Sequence, residues 1–232
     1  MDLITVDFET YYDKDFSLSK ITTEEYVRSR LFEVIGVAIK VNNGPTEWAS
    51  GSEEAIQDYL NEFNWQNSMV VAHNTMFDGA ILNWRFGVNP KVWADTMCMS
   101  RALHGVDVGQ SLKAVAERYG AGVKGTEVLA AKGMKREDFS DTELSRYGDY
   151  CINDVELTYN LFARMLKGFP KQELKIIDLT LRMFIDPILD LDLGLLEEHL
   201  LDTKERKDRL LEDAGVTKEE LMSNPKFAEV LT

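Results

Sequence analysis

The sequence is short of the residues that build covalent or thiolate frameworks. Two cysteines, Cys98 and Cys151, occur among 232 residues and never as Cys-x-x-Cys. That excludes a disulfide scaffold and a thiolate zinc centre. Cys98 lies between Met97 and Met99 and Cys151 sits in an apolar helical pattern, so both read as buried thiols. Positive charge is also scarce: 26 Lys and Arg against 40 Asp and Glu leave a formal net charge of −14. A broad basic face able to grip nucleic acid unaided is therefore not expected. No apolar run approaches the ~18 residues of a membrane span. The start, Met1-Asp2-Leu3-Ile4, lacks the basic and apolar regions of a secretion signal. The expectation is a soluble, cytoplasmic protein without a membrane partner. Gly120-x-x-x-x-Gly125 continues into Thr126 rather than Lys-Ser/Thr, so it is no P-loop, and no Gly-x-Ser-x-Gly elbow is present.

What is there is an ordinary apolar content with clear periodicity. Leu3 to Phe8, Phe32 to Val41, Thr46 to Ala49, Met69 to Ala72 and Val92 to Ala94 read as five strands. Asn42-Asn43-Gly44-Pro45 is a turn, which makes the first three an antiparallel meander. Helices are expected at about 22–28, 52–63 with Ser52 as N-cap, 77–86, 96–103, 111–119 and 141–166. Gly120 to Gly133 holds four glycines and reads as loop. Beyond Pro170 come a helix through Phe184, a short extended piece Ile188 to Leu193 and a charged helix from Leu195. Strands first, then alternating helices and strands, predict an α/β fold: a mixed sheet of about five strands flanked by helices, with a helical C-terminal appendage. A boundary near Pro170 divides residues 1–170 from 171–232. The apolar ending Val230-Leu231-Thr232 suggests a piece of a longer protein.

Chemistry concentrates in a few carboxylates. Asp-x-Glu occurs three times, at Asp7, Asp141 and Asp154, and Tyr-x-x-x-Asp twice, at Tyr11 and Tyr150. Context separates them. Asp7 and Glu9 end the most apolar strand, and residues two apart on a strand share a face. Asp141 sits at a helix start, where an N-cap or first-turn acid is ordinary. Tyr150 and Asp154, four apart, share one helix face, with Tyr147 and Thr158 extending it and Cys151, Val155, Phe162 and Met165 on a roughly opposite stripe. Glu156 points elsewhere. Asp78 opens a helix after the fourth strand, where a dipole-favoured acid is the plain alternative. Asn74 suits a turn, and Phe77 suits core packing. Carboxylates gathered together repel one another and raise each other's pKa. A hard divalent cation relieves that, so the set points to Mg²⁺ or Mn²⁺ and phosphoryl chemistry.

Strand-borne Asp7-x-Glu9, then Asn74-x-x-Phe77-Asp78, then Tyr150-x-x-x-Asp154, in that order, resembles the DEDD superfamily of 3′–5′ exonucleases in its tyrosine-containing branch. The resemblance covers roughly residues 1–168. The sister branch carries histidine at the Tyr150 position, and His73, His104 and His199 all lie away from it. Leu174 to Leu193, Asp95-Thr96-Met97 and Ser111-Leu112-Lys113 further resemble family A DNA polymerases, particularly those of bacteriophages.

These resemblances imply an RNase H-like sheet and a two-cation hydrolysis of the terminal phosphodiester at single-stranded or frayed DNA 3′ ends, releasing nucleoside 5′-monophosphates. Asp7, Glu9, Asp78 and Asp154 are the implied metal ligands, and Tyr150 orients the attacking water. Thr10, Asn74 and Phe77 are implied substrate contacts, with Tyr11 and Tyr12 as further candidates beside the last bases. A polymerase domain continuous with this chain is the implied partner. An exoribonuclease with the same chemistry, or a silent domain that docks single strands, are the alternatives.

Overall fold

The structure, a computed structural model, describes residues 1–125 and 131–230; part of the glycine-rich loop expected from the sequence, and Leu231-Thr232, lie outside the described residues. The elements run β1 (Asp2–Thr10), α1 (Thr23–Arg28), β2 (Val34–Val41), β3 (Thr46–Ala49), α2 (Glu53–Leu60), β4 (Ser68–Ala72), α3 (Thr75–Phe86), β5 (Val92–Asp95), α4 (Thr96–His104), α5 (Leu112–Tyr119), α6 (Asp141–Leu166) and α7 (Lys171–Ile185). After them come α8 (Leu193–Ala214), α9 (Lys218–Leu221) and α10 (Asn224–Val230). The strands form one mixed sheet in the order β3-β2-β1-β4-β5. β1, β2 and β3 pair antiparallel, while β4 and β5 run parallel to β1. Five strands, an α/β layering and flanking helices match the sequence expectation.

Side-chain parity along β1 decides which layer each residue serves. Ile4, Val6 and Phe8 enter one core with Tyr26, Ile56, Leu60, Ile81 and Leu82 from α1, α2 and α3. Leu3 faces the other core, where α5 and α6 supply Val115, Leu157, Leu161 and Phe162. Asp7 and Glu9 share Leu3's parity, so they point toward α6. Opposite them, Asp7 pairs with Ala38 and Glu9 with Gly36, after which the register slips so that Thr10 pairs with Val34. Ile35 is the extra residue, so the bulge lies in β2 and bends that strand beside the carboxylate end of β1.

Two glycines let α6 lie against this face. A Cβ on Gly36 would stand 2.3 Å from the Trp48 ring, and one on Gly148 would stand 2.7 Å from it. Trp48 from β3 thus fills a slot open only because both positions lack a side chain. Ser140 caps α6 in a reciprocal box with Glu143, so Asp141 is a first-turn acid. The helix packs on β1, β2, β3 and β4 as well as on α4 and α5. Its buried arc is therefore wider than an amphipathic stripe, and it takes in Tyr147, Tyr150, Cys151, Asp154, Val155 and Thr158 together. The two-sided reading, with Cys151 opposite Tyr150 and Asp154, does not hold for this helix.

The chain divides into two compact units, Met1–Pro187 and Ile188–Thr232. Where the sequence reading put a boundary near Pro170, α7 groups with the first unit. A Cβ on Gly79 of α3 would lie 2.3 Å from Ile185 Cδ1. Trp84 Nε1 donates to the Ile185 carbonyl at 2.7 Å, and the Trp93 amide donates to Asp178 at 2.7 Å. Arg182 donates to Asn89 and to the carbonyls of Pro90 and Lys91. The second unit is helical, with α8 beginning at Leu193 and capped by Asp192. Among the described residues no helix is long and apolar enough to cross a membrane.

Candidate active site

The carboxyl ends of the central strands β1 and β4 lie side by side at one end of the sheet, where α3 starts and α6 crosses. β1 delivers Asp7 and Glu9, and a ligand atom from each lies within 4.8 Å of the other and of Cys151 Sγ. Cys151 donates to the Asp7 backbone oxygen at 3.3 Å and to Asp7 Oδ2 at 3.4 Å. Asp78, in the first turn of α3, accepts from the Phe8 amide at 3.1 Å. That bond ties α3 to the strand between Asp7 and Glu9. α3 begins at Thr75, two residues earlier than the sequence suggests, because Asp95 prepares its start. One Asp95 carboxylate accepts from the amides of Asn74, Thr75, Met97 and Cys98. Asn74 adopts φ 80°, the left-handed conformation that asparagine tolerates.

α6 supplies the other wall. Tyr150 and Asp154 are both buried, one turn apart. Lys124, from the loop after α5, forms an ion pair with Asp154, and its ammonium lies 4.9 Å from the Tyr150 ring centroid. The second Asp154 oxygen, Oδ1, is buried with no hydrogen-bond partner. Tyr147, one turn before Tyr150, donates to Glu9 Oε2 at 2.5 Å. Glu156 faces away and accepts from Lys40 and Thr46.

Electrostatics follow from this crowding. Burial, then repulsion from Asp154, raises the Asp7 pKa from 3.8 to about 7, against the pull of Lys124. Glu9 and Asp78 are held well above the usual carboxylate range by burial and by Asp7. Asp154 is raised by burial, with Lys124 opposing. The Tyr150 hydroxyl is pushed up by burial and by Asp154, and the Cys151 thiol by burial and Asp7. Cys151 therefore stays protonated, and the donors facing the cluster are carboxylate oxygens. Several acids that resist ionising together, and one buried oxygen with no partner, fit a hard divalent cation. Among the residues expected to bind metal, Asp7 and Glu9 converge directly, with Asp78 and Asp154 close enough to exchange repulsion with Asp7.

The expected substrate contacts divide. Thr10 and Phe77 line a pocket of about 270 Å³ beside Glu9, together with Phe8, Tyr12, Ser17, Leu18 and Tyr26. The Thr10 hydroxyl already bonds Tyr26 at 2.9 Å. Tyr11 does not line that pocket; its hydroxyl donates to Asp13 at 2.7 Å. A second cleft, of about 360 Å³, lies along Val123, Lys124, Gly125, Arg146, Asp149, Tyr150 and Asn153. Lys124 had no signal in the sequence, because a glycine-rich loop has no period from which to infer where a side chain points. Asp95 did have one: an aspartate between a strand and a helix is an N-cap pattern.

Residues 9–169, more than half of the chain, match the family model described as 3′–5′ exonuclease; Asp7 lies just before the matched segment. No curated protein matches the sequence. Among solved structures, RNase D from Trypanosoma brucei in complex with RNA U12 has a TM-score of 0.60 at 12% identity, covering 82% of this chain and 67% of that one. NrnC from Brucella melitensis with bound Mg²⁺ has a TM-score of 0.55 at 17% identity, covering 80% and 82%. The family B DNA polymerase of Pyrobaculum calidifontis has a TM-score of 0.53 at 17% identity over 72% of this chain. The chain spans about a quarter (24%) of that polymerase's length. At such identities these likenesses bear on the fold alone, and the fold is that of exonuclease domains.

Proposed function

The chain belongs to the 3′–5′ exonuclease family, and from that premise we propose that it removes nucleotides from single-stranded or frayed DNA 3′ ends in a tyrosine-type DEDD site, as the proofreading part of a DNA polymerase. The observation that carries this reading is the cluster itself: four acids from β1, α3 and α6, held above their usual pKa by burial and by one another. Asp7, Glu9 and Asp154 would hold one divalent cation, with Asp7 shared and Asp78 supporting a second. When bound, Mg²⁺ or Mn²⁺ would neutralise these carboxylates, acidify the attacking water and offset charge on the leaving oxygen.

The chain's own residues supply the rest. Tyr150, with its hydroxyl pushed up and therefore protonated, is suited to orient the attacking water by hydrogen bonding and unsuited to remove its proton. Water attacks the terminal phosphorus, the bond to the 3′ oxygen of the penultimate nucleotide breaks, and that oxygen takes up a proton. A nucleoside 5′-monophosphate leaves. Lys124 and Arg146, both lining the cleft beside Tyr150, give the strand's phosphates local positive charge on an otherwise acidic protein. Thr10, Phe77 and Tyr12 would enclose the terminal nucleoside, and Asn74 would contact it from the turn before α3.

An exoribonuclease is the second reading, favoured by the likeness to an RNase D solved with RNA. Carboxylates and cations treat the two backbones alike; contacts to the 2′-OH separate them. The test is digestion of matched 5′-labelled DNA and RNA oligomers with Mg²⁺, Mn²⁺ or chelator, beside an Asp7→Ala/Glu9→Ala control. A metal-dependent ladder shortening from the 3′ end of DNA supports the proposal. Digestion of RNA alone would reassign the substrate, and no digestion of either would refute the activity.

A further inference from the structure

Tyr147 has no part in the reaction described above, yet it touches both walls of the site. Its hydroxyl donates to Glu9 Oε2 at 2.5 Å. Its ring stacks on Tyr150, with centroids 6.2 Å apart and planes at 12°. On its other side Phe139 stacks at 5.4 Å and 9°. Only 3% of Tyr147 is exposed, so this three-ring stack is fixed in the interior. Tyr147 and Tyr150 are three apart on α6 and therefore share its face.

Glu9 has a particular need of such a partner. It stands opposite the bulge in β2, and its side chain has three rotatable bonds with which to swing its carboxylate. A carboxylate has two oxygens and about four acceptor sites. One donor at Oε2 pins the group and leaves Oε1 for a cation. Partners of this kind, which hydrogen-bond a ligating carboxylate without touching the metal, govern how well the ligand is presented.

We infer that Tyr147 is a positioning residue: its hydroxyl holds Glu9 toward Asp7 while its ring backs Tyr150. This rests on reading Asp7 and Glu9 as cation ligands. Tyr147→Phe keeps the ring stack and deletes the hydroxyl, so the packed helix is retained. Tyr59→Phe is the control, since Tyr59 carries a buried hydroxyl without a hydrogen-bond partner and lies away from the site.

The experiment titrates Mn²⁺ into wild type, Tyr147→Phe and Tyr59→Phe by calorimetry, then measures digestion across the same Mn²⁺ range. Tyr147→Phe is expected to bind Mn²⁺ roughly 10- to 100-fold more weakly, and to recover most of the wild-type kcat once Mn²⁺ saturates. Tyr59→Phe is expected to match wild type in both. Wild-type Mn²⁺ affinity in Tyr147→Phe overturns the inference, as does an equal loss in both variants, which would mark a structural effect only. A wild type that neither binds Mn²⁺ nor digests any strand would instead overturn the reading of the site on which the inference rests.

Discussion

Asp7→Asn is expected to stabilise the metal-free protein, although it removes the central acid of the site. Asn matches Asp in shape and can still accept from the Cys151 thiol, but carries no charge. In the folded protein the Asp7 proton is held with a pKa of about 7, against an ordinary 3.8. A raised acid pKa means that the folded state keeps its proton where the unfolded chain has lost it. Stability from this group is therefore full below about pH 4, falls between about pH 4 and 7, and is gone above. At 1.36 kcal/mol per pKa unit the loss at pH 8 reaches about 4 kcal/mol. That figure is a ceiling, because Asp7 keeps part of its surface in water. Asp7→Asn avoids this loss, so in chelator its advantage over wild type should grow from pH 5 to pH 7 and then level off. Urea unfolding followed by tryptophan fluorescence measures it well: Trp48, Trp65, Trp84 and Trp93 all lie in the unit Met1–Pro187. An advantage of a few kcal/mol corresponds to a midpoint roughly 1 M higher or more. Adding Mn²⁺ should then raise the wild type far more than the variant. A chelated Asp7→Asn less stable than wild type at pH 8, or a difference independent of pH, would refute the argument.

The other predictions concern docking, boundary and catalysis. Gly148→Leu should place side-chain atoms on the Trp48 ring, already 2.7 Å from a Cβ there, costing roughly 1–3 kcal/mol or more by thermal unfolding; a neutral result would mean that α6 does not depend on this slot. A chain ending at Pro187 should unfold cooperatively like the full protein. One ending at Pro170 loses buried Leu181 and Ile185, about 1.5–3 kcal/mol each, and equal stability of the two would show α7 to be dispensable. Tyr150→Phe should lower kcat with Mn²⁺ affinity little changed, whereas Asp7→Ala should abolish digestion; wild-type turnover in purified Asp7→Ala would end the assignment.

Much of this protein was legible in the linear sequence, because local rules govern those parts. Strand parity sets Asp7 and Glu9 on one face, helical spacing sets Tyr150 beside Asp154, and Thr22, Ser52 and Ser111 announce helix starts that the structure keeps. The order of the three acidic motifs pointed to a 3′–5′ exonuclease before any contact was known. What the tertiary structure decided are relations between segments far apart in the chain. Trp48 reaches both Gly36 and Gly148, Asp95 orders the turn at Asn74, Lys124 pairs with Asp154, and Tyr147 bonds Glu9 across 138 residues. Cys151 turned from a core residue into a neighbour of Asp7 because the broad buried face of α6 takes in Cys151, Tyr150 and Asp154 together and lies against β1, a meeting that no period on one helix can reveal. Periodicity records which face of an element avoids water; it carries no record of what that face meets, and the chemistry of this site lies in those meetings.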